Sequence, residues 1–248
     1  MIRYAYLLFL WALPVSAEVR LNHLTTNEVS EAVSAGYTTV IIPTGGTEQN
    51  GAHMVLGKHN LRVAYLSQEI AHAAGRTLVA PVIDYVPEGR IDPPQGHMQY
   101  AGTISIPEEL FALTVEYAAR SLYQAGFEHI ILLGDSGGNQ QALQNTADKL
   151  NREWRHTPVL YAGAYYETNS VFVDWLQSEG YTAANGGHAG LADTSLLLAI
   201  TPGALRPFSE GHPGVGGNAE SASAELGRVG LEMFVTRTVA QIREFRGH

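Results

Sequence analysis

Glu48, His53 and His59 stand close together in the segment Thr44-Gly45-Gly46-Thr47-Glu48-Gln49-Asn50-Gly51-Ala52-His53 and its continuation to Asn60. A carboxylate and two imidazoles form a donor set that suits Zn, Mn or Fe. The same residues on a polar loop are equally read as solvated groups. His97 sits alone in Gln95-Gly96-His97-Met98-Gln99-Tyr100, and a lone loop imidazole is more often a hydrogen-bonding residue than a ligand. His188 and Asp193 flank a tight glycine segment that begins at Gly186. They suit an acid/base with an orienting group, or Asp193 simply caps the helix that follows.

Gly134-Asp135-Ser136-Gly137-Gly138-Asn139 supplies a hydroxyl between an apolar run and a helix. As a string it spells the nucleophile signature of chymotrypsin-like proteases, but those are all-β barrels and this context is strand–turn–helix. It also spells G-x-S-x-G, the nucleophile elbow of α/β-hydrolases, and that context agrees. Asp193 and either His188 or His212 would be the acid and base. Alternatively, Gly137 and Gly138 let the backbone approach a ligand. His212 to Glu220 opens the last helix, where N–H groups suit an anion or a carbonyl oxygen. A dinucleotide fingerprint fits poorly there, because no later strand carries the acidic residue it needs.

The elements that must position these groups alternate. Thr38 to Pro43, Thr77 to Val86 (weakened by Pro81), His129 to Leu133 and Pro158 to Ala162 read as strands. Leu61 to Ala74, Leu110 to Ala125, Asn139 to about Trp154, Leu196 to Ile200 and Ala219 to Phe245 read as helices, with Ser105 to Glu108 in the form of a capping box. The pattern predicts a single-domain α/β three-layer sandwich, a mainly parallel sheet flanked by helices. Ligands then sit beyond the carboxyl ends of the strands, where the loops after Pro43 and Leu133 lie.

Composition narrows the function. Residues 1–17 carry a basic Arg3, a short apolar run and Val15-Ser16-Ala17, the form of a secretory signal peptide cleaved after Ala17. The expectation is a secreted or periplasmic domain over residues 18–248, with no membrane segment in the mature form. With 24 acidic against 15 basic residues, nucleic acid is not the partner. The chain has no cysteine, so it has neither disulfides nor a thiol nucleophile, and metal ligands must be His, Asp or Glu.

Taken in order, these segments resemble the creatininase (creatinine amidohydrolase) family. Gly46 to His59 is similar to its G-S/T-x-E-Q/H-H-G-x-H segment and the Asp that ends it. His97, Tyr100, Gly102 and Thr103 match H-x-x-F/Y-x-G-T, and His129 to Asn139 matches a strand ending in N-G-H-G-G-N. His188 to Ser195 matches H-A-G-x-x-E-T-S, and Gly214 to Gly227 matches the last motif with Ala222, Ser223, Ala224 and Glu225. The resemblance implies a layered α/β fold, a metal site often holding two divalent ions, hydrolysis of non-peptide C–N bonds such as cyclic amides or formamides, a small-molecule substrate and a homo-oligomer.

The chain departs from the family where the metal is expected. A ligand His is Asn50, the terminal Asp of the first motif is His59, the His of N-G-H-G-G-N is Ser136 beside Asp135, and a Glu is Asp193. We read a rebuilt site: one divalent ion (Zn, Mn or Fe) on Glu48, His59 and Asp135, with Asp193 next. Metal-activated water would attack a carbonyl. His188, with Asp193, would stabilise the oxyanion or protonate the leaving nitrogen, and His53, His97, Gly137 and Gly138 would orient the substrate. Two readings stand beside it: a serine hydrolase using Ser136, and a binding protein that kept the fold without catalysis.

Overall fold

A computed structural model describes residues 18–155, 158–181, 187–208, 211–217 and 219–247. The signal-peptide segment, Gly186 and Asn218 lie outside the described residues. Strand β1 (Thr39–Thr44) is buried along its whole length, β2 (Thr77–Val79) and β3 (His129–Gly134) lie on either side of it, and β4 (Val159–Tyr161) follows β3. The sheet order is β2-β1-β3-β4 and every pairing is parallel, as the alternation of apolar runs and helices predicts.

Side chains alternate between the two faces of a strand. Ile41, Ile131 and Leu133 therefore join the core under α2 (Lys58–Ala74), α5 (Gly163–Ser178), α6 (Leu191–Ile200) and α7 (Ala224–Arg246). Val40, Ile42, Ile130 and Leu132 face the opposite core, under α1 (Thr26–Ser34), α3 (Glu108–Gln124) and α4 (Gln140–Trp154). That is the three-layer sandwich expected.

Several boundaries move for local reasons. β2 ends at Val79 because Pro81 has no N–H to donate; the chain returns only as an isolated bridge between Thr44 and Ile83. The capping box expected at Ser105 is absent. Pro107 stands at the N-cap of α3, and Ser105 Oγ instead donates to Gly89 O and accepts from Glu88 N. The real capping box is Thr25 with Glu28, on α1. The last helix begins at Ala224, with Ser223 Oγ accepting from Leu226 N. α5 is rich in aromatic, β-branched and short polar residues of modest helix propensity. It is held by burial of Tyr165, Thr168, Phe172 and Leu176 along one face.

Candidate active site and metal centre

β1 and β3 run side by side with Thr44 opposite Gly134. The chain leaves them through α2 on one face and α4 on the other, which makes their carboxyl ends the switch point where α/β sheets bind ligands. A cavity of about 680 Å³ opens there. Its floor holds Glu48, Lys58, His59, Arg62 and Asp135, and α5 contributes a wall with Tyr166 and Asn169. Glycine lets the loops close on it. A Cβ on Gly46 (φ 154°) would lie 1.9 Å from Glu88 Oε1, and one on Gly138 would lie 2.1 Å from Pro87 O.

The floor is an ion network. His59 Nδ1 lies 2.5 Å from Asp135 Oδ1 and its Nε2 lies 2.7 Å from Glu48 Oε1. Two carboxylates on opposite ring nitrogens require both to donate, so His59 is an imidazolium. Burial and the Lys58 charge pull its pKa down, and the bonds to Asp135 and Glu48 more than restore it. Arg62 Nε reaches both oxygens of Asp135 at 2.9 and 2.8 Å, and Arg62 Nη1 reaches Asp193 Oδ1 at 2.7 Å. Tyr165 Oη also donates to Asp135 Oδ2. Lys58 Nζ donates to Asp193 Oδ2 at 2.9 Å and lies 3.3 Å from Glu48 Oε1. Ala189 N completes Asp193 at 2.9 Å.

Three cations (Lys58, His59, Arg62) thus balance three carboxylates (Glu48, Asp135, Asp193) in a buried cluster. Burial pushes the Asp135 carboxyl up, but Arg62 and His59 outweigh it and hold it at about 2. Glu48 and Asp193 are likewise held well below the carboxylate range, against burial. Such a cluster stays charged across the physiological range.

The expected ligands His59, Asp135 and Asp193 are engaged here with one another and with the cations. His59 has no lone pair to give. Both oxygens of Asp135, and both of Asp193, are already taken by donors. Of the expected ligands, Glu48 alone keeps an oxygen turned elsewhere, and it meets two histidines. His97 Nε2 lies 3.1 Å from Glu48 Oε2, and His188 Nδ1 lies 3.5 Å from Glu48 Oε1. Among the described residues, Glu48, His97 and His188 form the candidate metal group, with ligand atoms within 4.8 Å of one another.

The donors fit a divalent ion. His188 Nε2 lies 2.7 Å from Gln49 O, a partner that can only accept, so the proton sits there and the Nδ1 lone pair faces Glu48. Burial and the Lys58 charge lower the His188 pKa to about 4, which keeps the ring neutral. His97 Nδ1 lies 3.0 Å from the Gln49 amide nitrogen, which also donates to Gly214 O. That amide donates to Nδ1 and so puts the His97 proton on Nε2; to hold an ion at Nε2 the ring would carry its proton on Nδ1, with the Gln49 amide turned to present its oxygen.

Glu88 stands beside this group, buried, and sequence reading missed it. Its Oε2 accepts from Ser136 Oγ at 3.1 Å, and its Oε1 has no hydrogen-bond partner. Burial first, and the nearby Glu48 charge second, push its pKa up to about 8. A neutral carboxylic acid beside an ionised one is the pairing that separates acid and base roles.

The remaining expectations fall out as follows. Gly137, Gly138, His97 and His188 line the cavity. His53 does not: it is buried, with Nε2 3.0 Å from Ala189 O and its ring edge-on to Phe208, so it ties two loops together rather than meeting substrate. Ser136 has a carboxyl partner and no imidazole in hydrogen-bond reach among the described residues, so the serine-hydrolase reading lacks its base. His212 accepts from Gly214 N and lies outside the cavity lining.

Comparison with known proteins agrees with this architecture. The family model for creatininase, creatinine amidohydrolase, matches residues 22–213. The chain is 24% identical to the creatinine amidohydrolase of Pseudomonas putida over 93% of its own length and 98% of the relative's. It is 29% identical to the mycofactocin precursor peptide peptidase of Mycobacterium ulcerans, over 73% of this chain and 66% of that one. A creatininase variant solved in a Zn-Zn form superposes with a TM-score of 0.74 at 25% identity, covering 92% of this chain and 98% of that one.

Proposed function

The chain belongs to the creatininase family of amidohydrolases, which act on C–N bonds, and on that premise we propose that it cleaves a non-peptide C–N bond of a small molecule with one divalent ion held by Glu48, His97 and His188. The observation that carries this reading is the meeting of those three donors in one cavity with the buried Glu88, whose Oε1 has no hydrogen-bond partner. When bound, the ion supplies Lewis acidity, lowering the pKa of water and polarising a carbonyl. The protein's own groups do the rest. Gly137 and Gly138 present the start of a helical turn to the cavity, where backbone N–H groups suit a carbonyl oxygen. Ser136 Oγ fixes the Glu88 carboxyl by its hydrogen bond. Glu88 gives its proton to the leaving nitrogen and regains one from the water whose oxygen joins the carbonyl carbon.

The cyclic-amide or formamide class, and an exported location with a mature N-terminus at Glu18, belong to the same proposal. Its test is turnover of a panel of cyclic amides, formamides and short peptides, before and after ion removal. Activity on a cyclic amide or formamide, lost on dialysis against a chelator and restored by Zn or Mn, is the expected result. Hydrolysis indifferent to the chelator, or ligand binding without turnover, sinks the reading.

A further inference from the structure

We infer that Lys58 stands in for a second divalent ion, so that this chain takes a single ion where the Zn-Zn relative takes two. The inference rests on the metal-dependent reading above. Lys58 is the first residue of α2 and only 2% exposed. A cation there faces the positive end of the helix dipole and loses its hydration, two costs that a purely structural position would avoid. They are offset by Asp193 Oδ2 at 2.9 Å and Glu48 Oε1 at 3.3 Å. The ammonium thus bridges two carboxylates, one from the loop after β1 and one from the first turn of α6, as a bridging metal ion would.

One helical turn on, Arg62 saturates Asp135 and the other oxygen of Asp193. Neither Asp135 nor Asp193 has an oxygen left to complete a second ion's shell, and the unpartnered Glu88 Oε1 stands beside the Glu48, His97 and His188 group instead. Asn50, at the position where the family resemblance places a ligand His, spends its amide on Glu48 O and Val55 O. The asymmetry is physical: fixed cations cost no metal, and they cannot be lost to a chelator.

The test is metal stoichiometry, by elemental analysis after equilibration of the whole protein with excess Zn and removal of loosely held ion. Wild type is expected to retain one Zn per chain, and Lys58→Ala two, because its lost ammonium leaves a carboxylate-lined gap. The second Zn should also raise the Tm of Lys58→Ala while extra Zn leaves wild type unmoved. Two Zn per wild-type chain overturns this inference alone, and none overturns the metal-dependent reading with it. A folded Lys58→Ala that retains only one Zn also overturns it. Should Lys58→Ala fail to fold, Lys58→Ser leaves the same gap with a short polar group at the start of the helix, and the same two-against-one count decides.

Discussion

Arg62→Met should lower the stability of the fold by about 3–5 kcal/mol, a fall in Tm of roughly 6–20 °C for a chain of this size. The guanidinium is buried to within 2% and holds two carboxylates at once, Asp135 through Nε and Asp193 through Nη1. Removing it leaves buried negative charge with His59 and Tyr165 on Asp135, and Lys58 and Ala189 N on Asp193, to answer it. Met fills similar space, so the loss is electrostatic rather than a cavity. Lys in its place should also fail, because a single ammonium cannot match the forked geometry across Asp135 and Asp193. Adding Asp135→Asn to Arg62→Met removes the stranded charge and should recover about 1–3 kcal/mol. Chemical denaturation of the two variants measures both; a double variant no more stable than the single one would show that the charge pairing was not the source of the loss.

Glu88→Gln is expected to reduce kcat by about two to four orders of magnitude while the protein keeps its metal and its Tm. The amide has the shape of the acid. Its oxygen still accepts from Ser136 Oγ, and its nitrogen takes the place of Oε1, which has no hydrogen-bond partner. What the amide cannot do is give up a proton and take it back. Steady-state kinetics on a substrate found for wild type, alongside the metal content of both proteins, separates the roles. A variant that hydrolyses at the wild-type rate would remove Glu88 from the chemistry, and one that loses the ion would make it a binding residue instead.

The two predictions concern residues that the sequence did not single out, and the reason is instructive. The β-branched runs at Thr39 to Pro43 and His129 to Leu133, each ended by glycine, place the cavity correctly, because buried strands and tight turns are local properties. Glu48, His97 and His188 are all visible as motif residues, but their meeting depends on contacts of Gln49 with His97 and His188, 48 and 139 residues further along the chain. Whether an imidazole is a ligand or a cation is set by its neighbours: His59 lies between two carboxylates, while His188 rests on a carbonyl. Lys58 and Arg62 look like the polar face of an amphipathic helix. The one available signal was a lysine opening that helix, against its dipole. Glu88 follows Pro87 in a segment without periodicity, and only the fold brings it against Ser136.

The account stands or falls on where the ion sits. Crystals of the whole protein grown with Zn, with anomalous differences measured on both sides of the Zn edge, locate it directly. The structure predicts one strong peak bonded to Glu48, His97 Nε2 and His188 Nδ1, with the Arg62–Asp135–His59 pairing intact. A peak bonded to His59 or Asp135, or no peak at saturating Zn, would contradict it.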